Sequence, residues 1–92
     1  MKIVINKCFG GFGLSEKAKE ILGIDNFFDE YQIDRNDPKL IEVVETLGDE
    51  ANGRYARLRV VNIPDDATDW ELDEYDGAEK VLFVVNGKIG RV

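Results

Sequence analysis

Two two-residue turns near the C-terminus constrain the fold of this chain more than any other feature. Asp76-Gly77 and Asn86-Gly87 are pairs that tight hairpin turns favour, because both central residues of the turn need a positive φ. The segment between them, VLFVV at 81–85, is apolar on both faces and is predicted to be a central strand. The two turns therefore predict three consecutive antiparallel strands.

The turn at Asp76-Gly77 also predicts the register of the first hairpin. The expected cross-strand pairs are Tyr75–Ala78, Glu74–Glu79, Asp73–Lys80, Leu72–Val81 and Trp70–Phe83. Two apolar pairs then share one face, a salt pair lies on the other, and the two opposed glutamates are the single unfavourable match. A slip of one residue would spoil these matches, so the register is well specified.

The first half of the chain predicts a strand and a helix. Residues Lys2–Asn6 are short, apolar and β-branched, as in a buried strand. A helix is expected over Ser15–Leu22, with Ser15 as its N-cap and Gly23 as its stop. Residues 24–36 are predicted to form a packed connection with a short helical turn, anchored by Phe27, Phe28, Tyr31 and Ile33.

A second helix and a further strand are predicted next. Asp37-Pro38 is a helix start, with Asp as N-cap and Pro at the first helical position. The helix either ends at Leu47 or runs to Ala51 with Gly53 as its cap, and the apolar spacing favours the second interpretation. From Tyr55 the apolar period changes to two, which predicts a strand that ends at Pro64.

These elements predict an α+β fold: an antiparallel sheet of about four to five strands with two helices on one face. The length of 92 residues suits a single domain over residues 1–92. No apolar run is long enough to span a membrane, and the first residues do not resemble a secretory signal. With a single, unpaired thiol at Cys8, we expect a cytoplasmic protein.

The side chains available argue against an enzyme. The chain has no histidine and one cysteine, which removes Ser-His-Asp and Cys-His catalysis and the usual zinc sites. The acidic run at 65–76 lacks the glycine and glutamate spacing of a calcium-binding loop. We therefore predict no catalytic residue, no metal and no cofactor, and interpret the run as a solvated strand face.

The charge distribution suggests a partner. The net charge is −7, with nine acidic and two basic side chains in residues 23–51 and eight acidic and one basic in residues 64–80. Direct binding to nucleic acid is disfavoured, because such binding depends on clustered lysines and arginines. An acidic surface instead suits a basic protein partner, although acids can also simply keep a small domain soluble.

The glycine-rich segment CFGGFG, at residues 8–13, gives the alternative function. A strand, a glycine-rich loop and a helix start can present backbone amides to an anion. The residues of that site would be Gly10, Gly11, Gly13, Ser15 and Lys17. The glycines can also be explained without a ligand, by a tight turn in which Phe9 and Phe12 fill the core. The segment also lacks the full phosphate-loop and dinucleotide-binding patterns.

Three segments of the chain resemble a family of small proteins of tailed bacteriophages and prophages. They are MKIVINKCFGGFGLSEKA at the start, RNDPKLIEVVETLGDEANG in the middle, and IPDD with WELDEYDG further on. Family members have a longer stretch in place of residues 24–33 and end in a Trp-containing segment, where this chain has AEKVLFVVNGKIGRV. The resemblance brings no activity for particular positions, and it implies a phage protein that acts on a host system.

Together these observations predict a non-enzymatic phage or prophage protein that binds and inhibits or modulates a host protein. The target would be a nucleic-acid-handling or defence component with a basic surface, in the cytoplasm of the bacterial host. The predicted contact surface consists of Asp65, Asp66, Asp69, Trp70, Glu71, Asp73 and Tyr75. The alternative is a protein that binds and sequesters a nucleotide or phosphate at the glycine-rich loop. The C-terminal edge strand can also pair with its mate in another copy.

Overall fold

The chain forms an α+β fold, as its sequence predicts. The computed structural model describes residues 1–92 apart from the side chain of Phe27, so the predicted anchoring role of that ring lies outside the described residues. The strands are β1 (Lys2–Asn6), β2 (Leu58–Asn62), β3 (Asp69–Tyr75), β4 (Ala78–Val85) and β5 (Lys88–Arg91). The helices are α1 (Glu16–Leu22), α2 (Phe27–Gln32) and α3 (Pro38–Leu47), and a 3₁₀ turn spans Gly48–Ala51.

The five strands form two sheets rather than the single sheet predicted. β1 and β2 pair antiparallel in one sheet, and the other sheet has the order β3-β4-β5, also antiparallel. In the described chain, β1 meets β4 through side chains and not through a ladder of backbone bonds. The expectation of about four to five strands in one sheet with two helices is corrected accordingly.

β1 lies in the middle of the molecule because it is buried on both faces. Val4 packs with Leu58 of β2 and with residues of α1 and α3 in one hydrophobic cluster. Ile3 and Ile5 face the other way and pack with Val81 of β4. The helices, the two-stranded sheet and the three-stranded sheet are therefore stacked as three layers around β1.

The helix ends follow the predicted chemistry with one correction. The hydroxyl of Ser15 accepts a hydrogen bond from the Ala18 amide, and Gly23 ends α1 with φ 74°. The Asp37 side chain caps the start of α3 in the same way. α3 does not continue to Ala51: Gly48 takes φ 58°, which ends the helix at Leu47 and starts the 3₁₀ turn.

The register of the β3–β4 hairpin is confirmed at every predicted pair. Asp76 and Gly77 both have positive φ, as do Asn86 and Gly87 in the second turn, which leads into β5 as expected. β2 begins at Leu58 and not at Tyr55. The amide of Arg57 is instead bound by the side chain of Asn6, which closes the loop before the strand.

A buried carboxylate joins the layers. Glu79 of β4 is 7% exposed, and its Oε1 accepts a bond from the amide of Asn6 at 2.7 Å. Arg35, in the connection before α3, donates to both carboxylate oxygens of Glu79 at 2.5 and 2.8 Å. The backbone of Arg35 also accepts a bond from the amide of Val4. One side-chain cluster thus connects β1, β4 and the helical region.

Replacing Arg35 with methionine should lower the free energy of unfolding by about 3–5 kcal/mol, because it leaves the Glu79 charge buried without its partner. Denaturant titration measures this loss. The matched control is Lys2→Met, which breaks the exposed pair of Lys2 with Glu45 at 2.8 Å and should cost less than about 1 kcal/mol. Equal losses in the two variants would contradict a structural role for the buried pair.

Candidate functional site

The predicted contact surface is centred on the outer face of β3. Asp69, Glu71 and Asp73 are exposed and alternate with residues that face inward. At about 3.4 Å per residue, this row spaces its carboxylates about 7 Å apart. In the part of the chain that the structure describes, none of the three has a lysine or arginine nitrogen within 4.0 Å. We call these three residues the acidic row.

The two aromatic residues predicted beside the acids lie on opposite faces of β3. Tyr75 shares the outer face with the acidic row and is 74% exposed. Trp70 faces inward, is half-buried and packs at the margin of the cluster formed by Ile3, Ile5 and Val81. The structure therefore places Tyr75, but not Trp70, on the same face as the acidic row.

The two other predicted acids lie in the loop that precedes β3. Asp65 pairs with the N-terminal ammonium group of Met1, which also donates to the carbonyl of Ile63 at 2.8 Å. The hydrogen bond and the charge of that ammonium group lower the pKa of Asp65. Asp66 is exposed. Asp65 therefore holds the N-terminus, and Asp66 is better placed to meet a partner.

The glycine-rich loop packs closely against two other segments. A Cβ on Gly10 would lie 2.1 Å from the carbonyl oxygen of Tyr55, and one on Gly77 would lie 2.4 Å from the amide nitrogen of Gly11. Phe12 packs against the first hydrophobic cluster, as expected, whereas Phe9 is 70% exposed and does not fill the core. The glycines thus allow backbones to approach each other.

Donors near the start of α1 already have partners within the protein. The amide of Leu14 donates to the carboxylate of Glu30 at 2.9 Å, and Ser15 caps the helix and donates to the carbonyl of Glu50. Lys17 lies 3.8 Å from the Glu50 carboxylate. An anion at this position would meet two carboxylates, which opposes its binding.

A cleft of about 680 Å³ is lined by one residue of each predicted site, Trp70 and Gly11. One wall consists of Trp70, Leu72 and Glu74 from β3. The opposite wall contains Gly11 and Phe12 of the glycine-rich loop, together with Glu30, Tyr31, Ile33 and Asp34. The Arg35–Glu79 pair lies at the cleft, with the guanidinium 3.7 Å from the centroid of the Phe12 ring.

The sequence did not predict that the residues on the helical side form a cleft with β3, although Gly11 was assigned to the anion loop and Ile33 to an apolar anchor. Arg35, Phe12 and Ile33 come from segments far apart in sequence from β3, so no local spacing links them to it. One signal was available for Glu79. In the predicted register it shares a face with Val81 and Phe83, and a carboxylate on a buried face needs a cationic partner.

The acidic tract at residues 23–51 differs from the acidic row because several of its carboxylates are engaged. Glu45 pairs with Lys2, Asp49 with Arg59 and Glu50 with Lys17. Glu30 binds a backbone amide, and Asp37 caps a helix. Asp25 and Glu42 also form no ion pair in the described structure, so the acidic row is distinguished by carboxylates that repeat along one strand face.

Among the described residues there is no helix long and apolar enough to cross a membrane, and no group of three acidic or cysteine side chains arranged to hold a metal ion. Comparisons with protein-family models, with curated proteins and with solved structures find no match for the chain. The site is therefore interpreted from its own geometry.

Acetylation of the N-terminus should raise the pKa of Asp65, because it removes the ammonium group that lowers it. A carboxylate whose folded pKa is lowered contributes stability above its unfolded pKa of about 4, and this contribution disappears as pH falls through the folded value. The acetylated protein should therefore lose less stability on acidification. NMR titration of the Asp65 carboxyl and acid unfolding curves test this, and in Asp65→Asn acetylation should leave the pH dependence of the stability unchanged.

Gly77→Ala should destabilise the protein more than Gly87→Ala. Both glycines follow the first residue of a tight turn and have positive φ, 89° and 74°, so both substitutions cost about 1–2 kcal/mol of backbone strain. A methyl group at Gly77 would also collide with the backbone of Gly11, whereas Gly87 faces open space. We expect an additional loss of about 1–3 kcal/mol at Gly77 in denaturant titration. Equal losses would show that the loop does not rest on the hairpin.

Proposed function

We propose that this chain is a non-enzymatic phage or prophage protein that binds and inhibits or modulates a host protein through the acidic surface on β3. The phage context comes from the sequence resemblance, and the mode of binding comes from the surface. The partner is a host protein with a basic surface in the bacterial cytoplasm, of the kind that holds nucleic acid or serves in defence. The protein would compete by occupying that basic surface.

The observation that carries the proposal is the uncompensated acidic row. Asp69, Glu71 and Asp73 repeat on one exposed face without an ion pair in the described structure. Like charges on neighbouring positions cost stability, and a single-sign surface steers oppositely charged molecules toward it. Lys80 lies across the ladder from Asp73 but forms no ion pair with it in the described structure, and a basic partner would supply the remaining countercharges.

Exposed aromatic side chains add contact area beside the row. Tyr75 lies on the same face, and Phe9 and Lys7 line a smaller hollow of about 330 Å³ with it. Aromatic residues contribute strongly at protein interfaces because they bury a large area with few rotatable bonds. Charge would thus direct the encounter, and the aromatic groups would lengthen the lifetime of the complex.

The phosphate-binding alternative has less support. α1 has seven residues, the Leu14 amide is taken by Glu30, and the hydroxyl of Ser15 caps the helix. These contacts place the carboxylate of Glu30 beside the glycine-rich loop, where a bound anion would need free hydrogen-bond donors. The loop instead forms one wall of the cleft beside β3.

Neutralising the acidic row should weaken binding to the host partner on the order of tenfold, because rim charges set the association rate. The experiment uses wild type and the triple variant Asp69→Asn, Glu71→Gln, Asp73→Asn as baits in bacterial lysate, followed by affinity measurement with each purified partner. It compares about 0.1 M with about 1 M salt, where the Debye length falls from about 10 to about 3 Å. A purified partner should also lose its binding to nucleic acid when the protein is added.

The matched control is the triple variant Asp25→Asn, Glu20→Gln, Glu42→Gln, which removes the same charge from exposed positions elsewhere. It should bind like wild type. If both triple variants weaken binding equally, net charge alone is responsible. If binding does not depend on salt, the electrostatic mechanism is wrong.

A further inference from the structure

β3 is an edge strand with a free side. The sheet order β3-β4-β5 leaves one long side of β3 without a strand partner in the described structure. Because Asp76-Gly77 is a two-residue turn, Tyr75 and Ala78 form a pair bonded across the ladder, and the pattern alternates from there. The amides and carbonyls of Trp70, Leu72 and Glu74 therefore point away from β4.

The bonds of β4 agree with this alternation. Val81 and Val92 exchange both backbone hydrogen bonds at 3.0 Å, so the odd-numbered residues of β4 bond toward β5 and the even-numbered ones toward β3. On the free side, the Trp70 amide donates to the side chain of its neighbour Asp69 at 2.9 Å. Within the described chain, no backbone bond from outside the hairpin reaches Leu72 or Glu74.

The cleft lies directly beside this free side. The edge residues Trp70, Leu72 and Glu74 form one wall of it, and Phe12 and Ile33 add apolar surface opposite. A strand placed along β3 would direct alternate side chains into the cleft and the others beside the acidic row, because side chains alternate between faces. The groove and the row would then be two faces of one binding site.

Charge favours a basic strand in that position. At the cleft, Glu79 is paired with Arg35 and Glu30 binds the Leu14 amide, whereas Asp34 and Glu74 have no ion pair in the described structure. On the outer face, a strand with cations at every second residue would match the spacing of the acidic row. Acidic residues on an edge also repel another acidic edge, so they select against pairing of β3 with β3 of a second copy.

We propose that β3 receives an extended segment of the partner as an added antiparallel strand, with lysines or arginines facing the acidic row and apolar side chains entering the cleft. This inference rests on the proposed function, since it names how the basic partner is held. Main-chain bonds to the edge provide affinity, and the alternation of side chains provides selectivity. Antiparallel addition is favoured because it bonds somewhat better per residue than parallel addition.

The test uses a capped seven-residue peptide of alternating lysine and valine, KVKVKVK, and measures its affinity by fluorescence anisotropy. In the antiparallel arrangement the valines lie opposite Trp70, Leu72 and Glu74, so their amides point toward β3 and the lysine amides point away. Methylating the valine amides should weaken binding about tenfold or more, since about three hydrogen bonds are lost. Methylating the inner lysine amides should leave it unchanged and is the matched control.

A protein variant tests the same bond from the other side. Glu74→Pro removes one amide from the free side of β3 without removing a bond to β4, a position in which an edge strand tolerates proline. It should weaken peptide binding several-fold relative to Glu74→Gln, which makes the same charge change. Thermal unfolding shows whether both variants fold. If the proline variant does not fold, the methylated peptides alone decide whether a strand is added to β3.

The outcomes separate this inference from the function on which it rests. Equal binding of all three peptides would overturn strand addition, whatever the salt dependence. Loss with the lysine-methylated peptide alone would overturn the antiparallel arrangement. If the triple variant of the acidic row binds the peptide as wild type does, the acidic surface is not the docking site and the proposed function fails. Self-association of the chain that Glu74→Pro abolishes would overturn the assignment in favour of a second copy.

Discussion

The bidentate pair between Arg35 and Glu79 holds the two sheets and the helical region in one arrangement. Glu79 belongs to β4, but its carboxylate is shared between Arg35 and the backbone amide of Asn6 at the end of β1. Such a pair gives little net stability, because removing both charges from water costs about as much as their attraction returns. Its effect is on geometry: in the described structure the two sheets share no ladder bonds, so this contact and the packing of Ile3 and Ile5 on Val81 position β4 on β1.

Arg35 also helps to hold one wall of the cleft in place. Arg35 lies over the ring of Phe12 and leads into α3, so it keeps the glycine-rich loop and the α2 region on one side of the groove. Gly77 rests on the backbone of Gly11 and closes one end. The groove is therefore bounded by parts of the chain that are fixed by close packing, while one side of β3 has no strand partner among the described residues. A preformed groove lowers the ordering cost of binding.

Local signals in the sequence were sufficient for the hairpins and for the starts of α1 and α3. The pairs Asp76-Gly77 and Asn86-Gly87 determine turn type and hence register, and Ser15 and Asp37 bind backbone amides within three residues of themselves. No such local signal predicted that the strands divide into two stacked sheets. An apolar run such as KIVIN shows that a strand is buried on both faces, but not whether its neighbour is joined by a ladder or by side chains.

The candidate site shows the same division between local and long-range information. The acidic row was predicted because alternation within one strand places Asp69, Glu71 and Asp73 on one face. The cleft was not predicted, because Arg35 and Ile33 come close to β3 through tertiary packing and not through local sequence spacing. Glu79 was predictable in part. The hairpin register places it opposite Glu74, and this pair is unfavourable unless a cation from another segment lies nearby. The prediction that Glu74 and Glu79 repel was thus incomplete, as Arg35 supplies the countercharge.

An edge strand must avoid pairing with wrong partners and yet, in a binding protein, accept the right one. Short length, charge and a covered side all protect edges, and in the described structure β3 has the charge but no strand beside its outer edge. Lysine is the residue that most often protects such an edge, although carboxylates also keep a small domain soluble. Carboxylates at every second position repel an acidic edge strand and attract a basic one. The sign of the charge therefore affects which strand can pair, whereas charge of either sign would protect the edge. In the proposed function, carboxylates beside the groove would select a basic strand over an acidic one.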